Sequence, residues 1–285
     1  MKPEDLKTKE ENTWCPGCPN FGILQAVQEA VASLNLAKDI AIVSGIGCHA
    51  KIYDYLNLRG FNGIHGRVLP IAFGIKLGNL QKTVVGFGGD GDTYAEGMEH
   101  FMHNCRYNAD LTMLVHNNQV FSLTTGQATP VTEKGFKDGS TPLGVAEKPL
   151  NPIVLALESG ASFVARGFAL DVPHLRELIK QAITHKGFSF IDILQPCIIY
   201  HKHSVPYLNK NVYKIDETND AGNFNQALER AREWDYCFDR DQRVPTGVFY
   251  KKERPTFGSQ WPQLKRPWHT IKRKINWENV IKEFK

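Results

Sequence analysis

The sequence predicts an α/β fold, a doubly wound parallel sheet covered by helices on both faces and followed by a C-terminal extension. Two observations carry this. Short apolar runs of strand length alternate with stretches whose apolar residues recur at the helical period, the pattern of βα units around a parallel sheet. Two of the runs end in polar, glycine-rich turns, Gly88-Gly89-Asp90-Gly91-Asp92 and His116-Asn117-Asn118. Open α/β sheets bind their ligands beyond such strand ends.

Taken in order, Asn20 is placed to cap a helix whose apolar positions Ile23, Val27, Ala30, Val31 and Leu34 follow the 3.6-residue period. The run 40–43 reads as a strand that delivers Ser44-Gly45-Ile46-Gly47-Cys48. The runs 83–87 and 111–115 read as buried strands leading into the two polar turns. Between them Met98, Phe101, Met102 and Cys105 mark an amphipathic helix. Residues 130–149, rich in Gly, Pro, Thr and Lys, predict a long surface loop, and such loops are often functional or ordered by a partner. Helix (153–158), strand (162–165), helix (172–183, on Leu175, Leu178, Ile179 and Ala182) and strand (188–194) then alternate. Residues 1–200 are therefore expected to form the α/β domain and 201–285 an extension or arm.

That extension has its own character. From residue 251 onward there are ten Lys or Arg against three Glu, with Trp261, Trp268 and Trp277 set among Pro255, Pro262 and Pro267. The prolines exclude a continuous helix before residue 268. Beyond it Ile271, Ile275, Val280, Ile281 and Phe284 predict a short closing helix. The stretch lacks a recognisable nucleic-acid module and the whole chain carries only +4, so nucleic-acid binding is not expected. It reads either as a solvated tail or as an arm, ordered from about Tyr250 by gripping another subunit, since Trp and Arg anchor interface centres. No apolar run approaches the roughly 20 residues that span a membrane.

Asp90 and Asn118 offer a carboxylate and an amide oxygen, the hard ligands that Mg2+ takes beside water and phosphate. Flanking glycines let the backbone approach phosphate closely. The plain alternative is a glycine-rich turn with Asp90 capping a helix. The pair, each at the carboxyl end of a predicted parallel strand, resembles the diphosphate-binding signature of thiamine diphosphate enzymes.

Six cysteines are present, and four share a Gly/Pro-rich setting: Cys15 and Cys18 in Trp14-Cys15-Pro16-Gly17-Cys18, Cys48, and Cys197 after Pro196. Cys105 lies on a predicted helix face as a core residue, and Cys237 sits in a charged segment without a partner pattern. A chain of 285 residues with 42% hydrophobic content builds its core without disulfide staples. It begins Met-Lys-Pro-Glu-Asp-Leu-Lys without an apolar signal region, so a reducing cytoplasm is expected. Structural zinc usually pairs two close Cys-x-x-Cys knuckles, whereas an iron–sulfur cluster tolerates scattered ligands. Cluster, zinc and coincidence all stay open on the residues alone.

Together these segments resemble the β subunit of the 2-oxoacid:ferredoxin oxidoreductases. The carrying set is Trp14 to Cys18, Ser44 to Cys48, His65-Gly66-Arg67 with Leu69-Pro70, Gly89 to Asp92, Asn117-Asn118, Leu123-Thr124-Thr125-Gly126-Gln127 and Gln195-Pro196-Cys197, in family order across about residues 11–200. The resemblance implies the thiamine diphosphate-binding fold and a [4Fe-4S] cluster on Cys15, Cys18, Cys48 and Cys197. It implies Mg2+ on Asp90, Asn118 and the carbonyl of Val120. Cofactor contacts are implied for Ile46, Gly47, Cys48, His49, His65, Gly91, Asp92, Ser122 and Leu123. His49, His65 and Lys51 are the polar candidates to face substrate, Lys51 and His65 as the catalytic ones; the plain alternatives are a loop pair of His65 with Arg67 and a solvated Lys51. Pro19 stands where relatives usually have glycine, which stiffens the cysteine loop. Thr125 stands where many have lysine, which leaves the oxoacid open.

The activity implied is CoA-dependent oxidative decarboxylation of a 2-oxoacid, pyruvate or 2-oxoglutarate, with electrons passed through the cluster to ferredoxin. The carboxylate that activates the cofactor is expected on a partner α subunit, because this chain holds one α/β unit and the diphosphate site occupies it. Two other readings are kept. One is a non-redox thiamine diphosphate decarboxylase or lyase with a structural zinc site, which has no use for four convergent thiolates. The other is non-catalytic, a thiamine-fold scaffold or electron-transfer subunit whose chemistry lies elsewhere; a scaffold need not retain Asp90 and Asn118.

Overall fold

The computed structural model describes residues 1–285 except 217, 218, 268, 269, 272, 273 and 285. Helix α1 (Asn20–Ser33) leads to strand β1 (Ile40–Ser44), and the short α2 (Ile52–Tyr55) to β2 (Arg59–Asn62). Helix α3 (Val68–Gly78) then precedes β3 (Thr83–Gly89), which runs directly into α4 (Asp90–Tyr94). Helix α5 (Met98–Tyr107) crosses back to β4 (Thr112–Asn117), and a small hairpin of β5 (Val120–Phe121) and β6 (Gln127–Ala128) follows. Next come α6 (Pro152–Glu158), β7 (Phe163–Phe168), α7 (Val172–Thr184) and β8 (Ser189–Leu194). The chain continues through α8 (Ser204–Asn211), β9 (Val212–Lys214), α9 (Phe224–Ala231), β10 (Val244–Lys251) and α10 (Trp277–Lys282).

Among the described residues eight strands form one sheet, in the order β2-β1-β3-β4-β8-β7-β10-β9. Every neighbouring pair is parallel except β10 with β7. Strands β4, β7 and β8 are buried along their whole length, as a sheet covered on both faces requires, and this is why they read as continuous apolar runs. One face packs against α1 and α7 through Ile23, Val27, Leu175 and Ile179. The other packs against α5, α6 and α9 through Phe101, Cys105, Ile153 and Ala227. Ser44 lies opposite Phe87, Gly89 opposite His116, and Asn117 opposite Leu194. The carboxyl ends of β1, β3, β4 and β8 therefore share one edge, and the polar turns and two of the cysteines follow from it.

Three expectations are corrected. Asn20 does not cap α1: Pro19 holds the N-cap position, and the buried Asn20 side chain meets His116 Nδ1 at 2.7 Å. Met102 points away from the core, 43% exposed, because at its place on α5 the apolar face is already filled by Phe101 and Cys105. Nor does the sheet stop near residue 200. Strand β10 hydrogen-bonds along β7, and β9 beside it closes that edge, so the chain leaves the sheet only after Lys251.

Part of the tail is likewise held by its own chain. Arg254 donates to the carbonyls of Cys105 and Gly160, Asn108 Nδ2 donates to the carbonyl of Arg254, Phe257 packs edge-on to Phe73, and Leu264 is buried. Trp268 lies outside the described residues. The closing helix forms as α10 but has no buried residue, with Trp277 65%, Ile281 53% and Phe284 86% exposed. Among the described residues no helix is long and apolar enough to cross a membrane.

One feature of the core has no signature in the sequence. Arg166 and Asp192, on neighbouring strands and both fully buried, lie with Nε and Oδ2 3.8 Å apart. Arg166 donates to Tyr236 Oη (2.8 Å), which donates to Asp192 Oδ2 (2.7 Å), while Tyr94 Oη (3.0 Å) and Asn117 Nδ2 (2.9 Å) donate to Oδ1. The guanidinium lies 5.1–5.3 Å from the ring centres of Trp234, Tyr236 and Phe249.

Candidate functional site

At the shared strand edge a cavity of about 400 Å³ is lined by the turns after β1, β3 and β4. Gly47 has φ +143°, a conformation that side chains rarely adopt, so glycine is needed for the turn that places Cys48 and His49. A Cβ on Gly91 would strike the Phe121 ring, and one on Gly45 would strike the Asp92 carboxylate. All nine residues expected to touch the cofactor line this cavity: Ile46, Gly47, Cys48, His49, His65, Gly91, Asp92, Ser122 and Leu123. Asp90, Asn118 and Val120 line it too.

Asp90 begins α4 and is 1% exposed. Its Oδ2 accepts from Thr129 Oγ1 at 2.6 Å and its Oδ1 from the Asn118 N–H at 3.3 Å. Burial outweighs both bonds and pushes its carboxyl up to about 7. A cation at this point would supply the compensation that the protein itself does not. Asn118 turns its Oδ1 to the Val120 N–H (3.1 Å) and its amide NH2 to Ser122 Oγ and Gln195 Oε1, both 3.2 Å. Gln119, at φ +61°, makes the reversal between them, held by bonds from its side chain to the carbonyls of Val131 and Tyr236.

Asp92 is held differently. Burial opposes its charge, but His49, the Gly66 N–H and His65 outweigh burial and keep its carboxyl below the usual range. His49 Nε2 lies 3.6 Å and His65 Nδ1 3.4 Å from its oxygens, and Gly66 N–H donates at 2.7 Å. Asp92 Oδ2, His49 Nε2 and His65 Nδ1 are nonetheless buried without a hydrogen-bond partner among the described residues. Two imidazoles, glycine-rich backbone and an uncompensated carboxylate beside an amide oxygen fit a diphosphate with its divalent cation.

A second recess, of about 440 Å³, gathers Cys15, Cys18, Cys48 and Cys197 with Trp14, Lys51 and Gln195. Trp14 Nε1 ties the Cys48 carbonyl at 2.7 Å, Gln195 Nε2 lies 3.7 Å from Cys18 Sγ, and the Tyr200 N–H donates to Cys197 Sγ at 3.4 Å. Burial pushes the Cys18 thiol up to about 11 and raises that of Cys48, with the other thiols of the set adding to both. Cys48, Asn118 and Ser122 line both cavities, so the wall between them is one side chain thick. Cys105 is buried in the core and Cys237 lies in another recess, both away from the set.

Lys51 lines the cysteine recess and not the cofactor cavity, with Nζ 3.2 Å from the Thr13 carbonyl. His65 does line the cofactor cavity, 35% exposed. Thr125 follows Thr124 at the rim, at φ +82°, and is exposed. Sequence reasoning missed Thr129, Tyr200 and the Gly66 N–H, which act only by single hydrogen bonds. Of these only Gly66 lay inside a segment already singled out.

Residues 45–193 match the family model of the C-terminal thiamine pyrophosphate-binding domain of thiamine pyrophosphate enzymes, and residues 197–266 match the C-terminal part of the pyruvate ferredoxin oxidoreductase β subunit. The 2-oxoacid:ferredoxin oxidoreductase subunit β of Saccharolobus solfataricus is 45% identical over 259 residues, covering 86% of this chain and 83% of that one. The chain belongs to this family of β subunits. The 2-oxoglutarate synthase subunit KorB of Archaeoglobus fulgidus is 34% identical over 94% of both chains. A solved 2-oxoglutarate:ferredoxin oxidoreductase from Magnetococcus marinus, with 2-oxoglutarate, coenzyme A and succinyl-CoA bound, superposes with a TM-score of 0.90 at 32% identity, over 100% of this chain and 96% of that one. The protein is thus the β subunit of a 2-oxoacid:ferredoxin oxidoreductase and a thiamine diphosphate enzyme, on the α/β fold expected. The alternative of a non-redox lyase with a zinc site has no support among these relatives.

Proposed function

We propose that this β subunit holds the diphosphate end of thiamine diphosphate through Mg2+ on Asp90, Asn118 and the Val120 carbonyl, and a [4Fe-4S] cluster on Cys15, Cys18, Cys48 and Cys197. The observation that carries the reading is the shared wall: Cys48, Asn118 and Ser122 border the cofactor cavity on one side and the cysteine recess on the other. Four thiols gathered at one recess match the ligand number of a [4Fe-4S] cluster.

When bound, the cofactor supplies carbon chemistry for decarboxylating a 2-oxoacid and the cluster a one-electron path out of the site. The chain's own residues do the rest. His49 and His65 hold Asp92 ionised, and Asp92 in turn fixes the Gly66 turn. Lys51 places its positive charge toward Cys48 and favours the thiolate there, a supporting task in place of substrate contact. The Tyr200 N–H and Gln195 amide direct donors at sulfur, which tunes a cluster's potential. The carboxylates lining the cavity are Asp90, assigned here to Mg2+, and Asp92, held by His49 and His65, so the one that activates the cofactor is assigned to an α subunit. Ile46 and Leu123, 42% and 48% exposed at the cavity mouth, suit burial by that partner. The α subunit completes a heterodimeric unit with coenzyme A, 2-oxoacid and ferredoxin as reactants, in the reducing cytoplasm that six free thiols suit.

Cys197→Ser should strip iron and acceptor reduction while leaving the sheet intact, and Cys105→Ser should keep both. Iron content of anaerobically purified variants checks this, and retention by the first with loss from the second would overturn the ligand set. Because Arg254, Phe257 and Leu264 make contacts within the chain itself, we assign the partner-gripping part of the tail to residues beyond Lys265. Cutting there should weaken capture of the α subunit in a pull-down at least tenfold with iron unchanged. Equal capture would make the tail a solvated one.

A further inference from the structure

The loop after β6 carries a second constellation that the reaction does not use. Glu133 Oε2 meets His201 Nε2 at 2.8 Å, and Glu133 Oε1 meets His203 Nε2 at 2.6 Å. The two imidazole centres lie 4.4 Å apart. His201 is 1% exposed and the Glu133 side chain 12%, while His203 is open at 52%. Among the described residues, this is the group in which three His, Cys, Asp or Glu ligand atoms come within 4.8 Å of one another.

We propose that Glu133, His201 and His203 form a site for a zinc-class divalent cation, with three protein ligands and an open fourth position. Two imidazole nitrogens and one carboxylate are a donor set that zinc takes in three-ligand sites, with water as the fourth ligand. Calcium and magnesium, which demand oxygen, are disfavoured by the same pair of imidazoles. Each oxygen of the Glu133 carboxylate faces one imidazole nitrogen at hydrogen-bond distance, so two N–H donors meet it. Each Nε2 therefore now points a proton at that carboxylate. For a cation to bind, each proton must leave Nε2 and the ring carry one on Nδ1 instead, which frees the Nε2 lone pair for the metal. His201 Nδ1 is buried and has no partner among the described residues, so the proton it takes up there needs a water as acceptor.

Access is present on one side. A recess of about 960 Å³ borders Glu133 and His203, with Cys237 and Asp239 across it, and gives the fourth ligand its place. The site's position suggests what it does. Glu133 belongs to the long 130–149 loop, and the His201 N–H donates to the Cys197 carbonyl at 3.0 Å. The ion would clamp that loop to the segment bearing Cys197.

The test uses the intact α/β complex, loaded with cluster and cofactor, dialysed against zinc at buffered free concentrations, with zinc and iron measured by mass spectrometry. Wild type should hold one more zinc per β chain than His203→Ala or Glu133→Gln, each variant binding it at least about 100-fold more weakly, beyond the 10–100-fold that losing a mere supporting partner costs. Cys237→Ala should match wild type, and iron should be equal in all four. His203 is half exposed, so its loss does not threaten folding, and equal iron confirms this. Zinc content equal in wild type and His203→Ala, at any free concentration up to micromolar, would reduce the triad to a hydrogen-bonded bracket and overturn the proposal.

Discussion

Asp90→Ala is expected to fold normally and to lose thiamine diphosphate binding by more than about 100-fold, since loss of the proposed direct metal ligand should exceed the 10–100-fold effect of an outer partner. Calorimetric titration with cofactor and Mg2+ measures it, and unchanged affinity would remove Asp90 from the site. The fold survives because the carboxylate is a burden without its cation. Buried at 1% exposure, it titrates at about 7 in the folded chain and near the ordinary carboxylate value when unfolded. Between about pH 4 and 7 the folded state therefore binds the extra proton, so the cofactor-free chain loses stability as pH rises through that window and levels off above it. Asp90→Asn should remove this contribution and make the pH slope in urea unfolding of the cofactor-free protein less negative between about pH 4 and 7. It should be no less stable than wild type at pH 8, and less stable than wild type once cofactor and Mg2+ are added.

The largest loss of stability is expected from Arg166→Met. Arg166 and Asp192 are both 0% exposed, and removing the cation strands a carboxylate that burial already pushes up in pKa. Breaking a buried pair in this way costs about 3–5 kcal/mol. For a chain of this size that is a fall of about 10 °C in melting temperature. Removing Asp192 as well, as Asn, should recover only part, because Tyr94, Tyr236 and Asn117 also direct hydrogen bonds at it. The damage should reach the cavity too. Asn117 is oriented by Asp192, and its own Oδ1 accepts the Gln119 N–H at 3.2 Å in the turn that sets Asn118. A melting temperature within 2 °C of wild type, on the scale of about 1 kcal/mol or less, would mean that the pair compensates nothing.

The sequence revealed strands β1, β3, β4 and β8 because a parallel sheet covered on both faces imprints unbroken apolar runs. The same physics hid β2, whose four residues are all exposed. It hid β10 as well, where Pro245 and Gly247 interrupt the apolar residues. At the site, glycines and cysteines were legible because few other residues can do their work, a φ of +143° at Gly47 being one case. Thr129 and Tyr200 were not, since a hydroxyl or an N–H becomes specific only when the fold aims it. Glu133 was read as part of a surface loop. Its partner His201 is 68 positions away, and no local pattern connects them.

Strand β10 also dictates the order in which a newly made chain becomes safe. When residue 200 leaves the ribosome, every strand of the parallel core exists, yet β7 still offers a bare row of N–H and C=O groups to any passing strand. Its Arg166 at that moment lacks the three aromatic rings later packed around it, two of them on the loop after α9 and one on β10 itself. Synthesis must proceed some fifty residues further, to Lys251, before an antiparallel partner covers that edge. Over that interval the half-made subunit is exposed to strand exchange and aggregation, the hazard of long-range β pairing that closes late.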